Sequence, residues 1–295
     1  MTEEYVRKLD ADALELFARK GMEGGPEVPQ AGPMNGVKVR RIMQLTRDLA
    51  PKPFAGLRIL DLGCGEGVYA IEAGLRGAQV VALDARTARM NYGAACARRQ
   101  GLGTVQFIQE DVRSVTRAAR GSFDVVYFLG LLYHLDAPDV FSVLENIFGL
   151  CAGLLVVDTL ISLTAEIEVE WQGRIYQGKR CREHDDGDPP EVRLARVLRS
   201  VDNTFSFHFT REALLRALHD VGFTSVFECH VPFEPGRAAD RITLAALKGA
   251  PVMLSTYPWV NRKSEAEIER ELQAGGAGNP AGASSASETA QERGR

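Results

Sequence analysis

Short apolar runs alternate with segments of helical character through the first two thirds of the chain. The runs fall near 58–62, 79–84, 104–108, 123–128 and 153–158, and the helical segments near 67–76, 86–100 and 137–149. Runs without a regular polar alternation suit strands buried on both faces, and strand–helix alternation with short links predicts a parallel sheet with helices on both faces. The period then changes. Residues 165–171 alternate polar and apolar, Gln172-Gly173 is turn-like and 174–180 can pair back, so a hairpin is expected, followed by a polar loop over 183–190 and a helix over 191–198. Thr210 is a good N-cap for a helix running to Val221, where Gly222 can end it, and 225–231 and 241–247 read as two further strands.

Both ends of the chain read differently. Residues 3–20 place Tyr5, Leu9, Leu14, Leu16 and Phe17 at helical spacing among charges, residues 24–33 are rich in helix breakers, and 37–49 look helical until Pro51. Ser264 to Glu267 can start a last short helix, while from Gly275 onward small and charged residues predict disorder.

The densest chemistry lies at 58–70, Arg-Ile-Leu-Asp-Leu-Gly-Cys-Gly-Glu-Gly-Val-Tyr-Ala, which reads as a strand, a glycine turn and a helix start. Glycines let backbone approach a ligand closely, and unpaired N–H groups at a helix start favour a negative group, so a nucleotide-like guest fits. A dinucleotide turn reads G-x-G-x-x-G, which would need glycine at 68; Val68 stands there and Gly67 one place earlier, making NAD or FAD the lesser reading. Asp84 closes the next apolar run, about where an acidic residue reaches ribose hydroxyls.

Four stretches in this order resemble the class I S-adenosylmethionine-dependent methyltransferases. The glycine turn matches their first motif, Asp84 their second, 110–112 the loop that commonly holds adenine, and 123–135 the strand and loop facing the transferred methyl. The resemblance implies an α/β, Rossmann-like, seven-stranded, mostly parallel sheet with helices on both faces, and an antiparallel pair closing it. It divides the chain into an N-terminal helical lid over 1–52, a methyltransferase domain over 53–250 with an insertion after the fifth strand at about 160–207, and a C-terminal extension over 251–295. Substrate specificity is expected in the insertion, because loops at the carboxyl edge vary without disturbing the core. The implied cofactor is S-adenosyl-L-methionine, held by Asp61, Gly63, Cys64, Gly65, Gly67, Asp84, Ala85, Asp111, Val112 and Leu129, with Asp61 facing the methionine ammonium.

Tyr133 and His134 follow the fourth strand, where that family faces its substrate. A histidine can take a proton at neutral pH, so His134 is the first candidate for a general base; the competing role is fixing the loop. Tyr133, Glu170 and His208 are further candidates. Phe128, Trp171 and Tyr176 either line an apolar pocket or serve packing. Arg174, Lys179, Arg180 and Arg182 either overhang the cleft and favour an anionic substrate or form a surface paired with Glu166, Glu168 and Glu170. No metal is expected, since a flexible loop accounts for Asp185, Asp186 and Asp188 as well as magnesium would.

Bulk properties narrow the setting. In 295 residues of 45% hydrophobic content, one large domain with insertions is expected. A net charge of −4 offers no overall basic field for nucleic acid. Five widely spaced cysteines without a Cys-x-x-Cys pair suggest reduced thiols, and neither an apolar leader nor a membrane span is apparent, so a cytoplasmic protein is expected. The expected activity is methyl transfer to oxygen, nitrogen or carbon of a small molecule, with a homodimer as a candidate assembly. Two alternatives compete. One is a tRNA-modifying methyl or carboxymethyl transferase, because 129–134 and 203–210 look similar to the enzymes that act on wobble uridine; their tryptophan-rich basic stretch is missing from residues 30–55. The other is a non-catalytic cofactor-binding regulatory subunit.

Overall fold

The computed structural model describes residues 33–196, 198–234 and 236–250, with 264, 266, 267, 269 and 270 beyond them. The helix expected over 3–20, most of the following loop and the tail after 275 lie outside the described residues. The chain divides into a unit ending at Pro251 and a second one from Val252. In the second unit, Ser264 and Glu267 form the expected helix-start pair, with the Ser264 N–H and hydroxyl both donating to the Glu267 carboxylate at 2.7 Å.

A seven-stranded sheet organises the first unit. Its strands are β1 (Arg58–Leu62), β2 (Gln79–Asp84), β3 (Val105–Gln109), β4 (Phe123–Leu129), β5 (Cys151–Leu160), β9 (Ser225–Glu228) and β10 (Arg241–Leu247), in the order β3-β2-β1-β4-β5-β10-β9. The first five run parallel, and β10 is antiparallel to both β5 and β9. This is the expected sheet, closed by the expected antiparallel pair.

Alternation along each strand separates two cores. Leu60 and Leu62 enter one with α5 (Asp139–Leu150) and α7 (Arg211–Asp220). Ile59 enters the other with α1 (Pro33–Leu49), α2 (Val68–Leu75) and α3 (Thr87–Arg99). Within α1, Ile42 and Met43 are buried, and the Thr46 hydroxyl meets the Tyr127 hydroxyl at 2.7 Å. The strand order reverses direction beside β1, between β2 and β4, so a crevice opens beyond the carboxyl ends of those strands.

The insertion builds a second, antiparallel sheet of β6 (Ile167–Trp171), β7 (Arg174–Arg182) and β8 (Phe205–Phe209). The hairpin is as expected, and its turn puts Gln172 and Gly173 at φ 49° and 75°, the left-handed pair that matches strand twist. β8 is a strand that the sequence analysis does not predict. Phe205, Phe207 and Phe209 alternate with Ser206 and His208, and β8 pairs with β7 where Gly178 leaves room for the Phe207 ring, 2.6 Å from where a Cβ would stand. The helix after the polar loop is also shorter than expected, α6 (Pro190–Ala195). A short helix over Arg117–Arg120, α4, was not foreseen.

Candidate active site

A cavity of about 400 Å³ lies at the carboxyl ends of β1, β2, β3 and β4. It gathers Gly63, Gly65, Asp84, Ala85, Asp111, Val112, Tyr133 and His134 from the sequence expectation. Cys64, Gly67, Leu129 and Asp61 stand next to these residues in the chain but do not line it.

The glycine turn is held by the strand beside it. Asp84 accepts the Gly65 N–H on Oδ2 and the Arg86 N–H on Oδ1, each at 2.8 Å, so one carboxylate fixes both turns. Gly65 has φ +55°, and a Cβ there would meet only the Arg89 side chain at 3.5 Å, so the face stays open. Gly67 is required by packing instead, because a Cβ would lie 2.6 Å from the Phe107 ring.

Asp61 is only 1% exposed, on the β1 face covered by α1 and α2, and its Oδ2 has no hydrogen-bond partner among the described residues. Burial, then repulsion from Asp84, pushes its carboxyl up to about 7 despite a hydrogen bond from the Ala70 N–H. A buried acid left half-satisfied suits a cationic group of a ligand.

Asp111 lines the cavity with its carboxylate held by Arg113. Burial would raise its carboxyl, but the Arg113 side chain and N–H outweigh that and hold it below the usual range. Arg113 also reaches Asp202 at 2.7 Å and Asp139 at 3.4 Å.

The loop after β4 carries the reactive candidates. His134 Nδ1 lies 2.9 Å from Glu183 Oε1, and the other oxygen of Glu183 accepts the Ser200 N–H at 2.9 Å. Burial opposes the charge of Glu183, yet His134 and the Ser200 N–H hold its carboxyl below the ordinary range. In a neutral imidazole that donates Nδ1–H to this carboxylate, the lone pair stands on Nε2. Glu183 was read only as the start of a polar loop. His208 does not line the cavity: its Nε2 donates to the Tyr133 carbonyl at 3.0 Å, and burial lowers its pKa.

A strap from the insertion closes one side of the cavity. Leu198, Arg199, Ser200, Val201, Asp202 and Asn203 all line it. The Arg86 guanidinium gathers this segment by donating to the carbonyls of Leu194, Arg196, Arg199 and Ser200 at 2.8–3.3 Å.

The hairpin does not reach the cavity. Glu170 is exposed and lines nothing there. Arg174 pairs with Asp220, Lys179 with Glu166 at 3.1 Å, Arg180 with Asp136 at 2.7 Å and Arg182 with Asp186 at 3.4 Å. The basic cluster is thus a paired surface. Trp171 and Tyr176 pack on Phe141, with ring centroids 5.5 and 4.9 Å apart, and Phe128 is buried in the core.

Sheet order, glycine turn and the acidic ends of β1 and β2 form a Rossmann-like fold of the kind found in S-adenosylmethionine-dependent methyltransferases. Residues 59–152 match the family model described as a methyltransferase domain. Among curated relatives, an enzyme of Brucella anthropi named ubiquinone biosynthesis O-methyltransferase is 28% identical over 173 residues, covering 54% of this chain and 67% of that one. An enzyme of the same name from Roseobacter denitrificans is 38% identical over 97 residues, 32% of this chain and 38% of that one. Similarity to the curated relatives therefore spans from about a third to two thirds of their length. Among solved structures, the N-terminal domain of EvdMO1, crystallised with S-adenosylhomocysteine and D-fucose, matches at a TM-score of 0.60 and 20% identity over 84% of this chain and 98% of that one.

Among the described residues no helix is long and apolar enough to cross a membrane, and no group of three or more His, Cys, Asp or Glu could hold a metal ion.

Proposed function

We propose that the protein transfers the methyl group of S-adenosylmethionine to a hydroxyl of a small molecule, with His134 as the base that takes the hydroxyl proton. The observation that carries this is the His134–Glu183 hydrogen bond at the cavity, 2.9 Å long, which fixes the ring and its tautomer. The names of the curated relatives support oxygen as the acceptor atom. When bound, S-adenosylmethionine supplies a methyl group already activated by the sulfonium. The residues of this chain then hold, orient and deprotonate. Asp84 would take the ribose hydroxyls, Asp61 the ammonium and Val112 the adenine. Glu183 orients His134 and stabilises the imidazolium formed when Nε2 accepts the proton. The closed strap keeps water from the reacting groups.

Calorimetric titration with S-adenosylhomocysteine, with NADH as control, tests the cofactor; binding of NADH alone would sink the reading. Methyl transfer from labelled S-adenosylmethionine to hydroxyl-bearing small molecules then tests the reaction. His134→Ala is expected to lower kcat by about 10²–10⁴-fold while S-adenosylhomocysteine binds within about twofold of the parent. An unaltered kcat would leave His134 a loop-fixing residue only.

A further inference from the structure

A second concentration of charge lies where α1, the end of β5, β10 and the loop before β10 meet. Asp158, at 0% exposure, accepts Lys38 Nζ at 3.0 Å and Arg241 Nε at 2.8 Å on the same oxygen, Oδ1. Its Oδ2 accepts the Thr243 hydroxyl at 2.8 Å, and that hydroxyl oxygen accepts Arg237 Nη2 at 2.9 Å. Arg41, 1% exposed, pairs with Glu234 at 2.9 Å. Four cations therefore face two carboxylates in a largely buried cluster. Glu228 also acts on Arg237, but it is itself paired with Arg211, so the balance is not restored. The Nε atoms of Arg41 and Arg237 are buried without a hydrogen-bond partner among the described residues. Burial lowers the pKa of Lys38 against the pull of Asp158, as an under-compensated ammonium requires.

The cluster adjoins the reacting loop. A Cβ on Gly130 would lie 3.8 Å from both Arg241 Nη2 and Tyr133 Oη. Gly130, Tyr133 and Leu160 line the cavity, and Leu160 is the register partner of Arg241. Excess buried positive charge with orphaned N–H groups calls for an anion, and guanidinium forks match the oxygens of carboxylate and phosphate.

We propose that Lys38, Arg41, Arg237 and Arg241 form the seat for an anionic group, a carboxylate or a phosphate, carried by the methyl acceptor. The proposal rests on the methyl-transfer reading and names its substrate class. It also moves the anion site from the hairpin, whose cations are all paired, to the junction of α1 and β10.

The test is calorimetric titration of the full chain with inorganic phosphate after saturation with S-adenosylhomocysteine. Phosphate is expected to bind the saturated protein, and Arg237→Gln to weaken it at least about tenfold, the loss of one charge-assisted hydrogen bond. Arg237 forms no ion pair among the described residues, and a thermal melt of the variant reports its folding; Lys38→Gln is a second variant with the same expectation. Absence of phosphate binding while S-adenosylhomocysteine binds would overturn the proposal, as would equal binding in both folded variants. Phosphate displaced by S-adenosylhomocysteine, but not by its decarboxylated analogue, would assign the seat to the methionine carboxylate and also overturn it. Failure of S-adenosylhomocysteine itself to bind is a separate result that sinks the methyl-transfer reading.

Discussion

Ionisation of Asp61 costs the folded chain more than the unfolded one, because the folded carboxyl is pushed up to about 7 and the unfolded one titrates near the ordinary value of about 3.9. Between those values the folded state holds the extra proton, so the contribution of this group to stability falls as pH rises from about 4 to 7, by about 4 kcal/mol. A ligand ammonium reverses the preference by favouring the carboxylate. Binding of S-adenosylhomocysteine at pH 6 should therefore release close to one proton, seen as a dependence of the calorimetric heat on buffer ionisation. The release should fade by pH 8 and vanish in Asp61→Asn. No release at pH 6 would remove Asp61 as the counter-ion. Glu183→Gln belongs beside it: kcat should fall by about 10–100-fold with KM little changed, since the amide still accepts a hydrogen bond but no longer stabilises an imidazolium. A matched fall in stability with kcat retained would make the pair structural. His134 was legible because it ends a recognisable strand-and-loop stretch. Glu183 was not, because it lies 49 residues later in a polar run and reaches His134 only through a strand pairing and the Ser200 N–H.

Elements of the parallel sheet were readable from their apolar runs, since a strand buried on both faces tolerates few polar residues. The insertion was half readable. Its hairpin showed alternation and a turn pair, while β8 is five residues long and has no turn pair to announce it. The strap over 198–203 has no periodicity at all, and only folding reveals that one guanidinium collects it: the Arg86 side chain holds the carbonyls of Arg199 and Ser200 in the strap and those of Leu194 and Arg196 just before it. Burial lowers the pKa of Arg86, and Asp84 is the leading opposing influence, so the clamp is coupled to the carboxylate proposed for ribose. Arg86→Ala should raise amide hydrogen exchange across 198–203 and speed S-adenosylhomocysteine dissociation about tenfold, measured by mass spectrometry and stopped flow. Unchanged exchange would show that Arg113–Asp202 and Glu183–Ser200 hold the strap unaided.

At the scale of the molecule, the question is whether the insertion folds with the sheet or beside it. Phe141 on α5 answers from packing. Its ring lies 5.5 Å from Trp171, 4.9 Å from Tyr176, 6.2 Å from Phe207 and 5.3 Å from Phe209, so all three strands of the second sheet meet one helix of the first core. Tyr176, Phe207 and Phe209 belong to the same apolar cluster as Leu60 and Leu62 of β1, and the Phe207 N–H donates to the Leu135 carbonyl at 2.8 Å, tying β8 to the loop after β4. Such continuity was invisible in sequence, where Trp171 and Tyr176 read equally well as pocket or packing. It makes the second sheet part of one cooperative unit that also sets the height of His134. Phe207→Ala removes a side chain that is 1% exposed and should cost about 3–5 kcal/mol. The melting temperature should fall by about 10 °C, at about 2–4 °C per kcal/mol for a chain of this size. Calorimetry of the parent and the variant should each give a single transition for residues up to Pro251. Two separated transitions, with the variant lowering only the first, would show that the insertion unfolds alone and that the strap can open without disturbing the sheet beneath it.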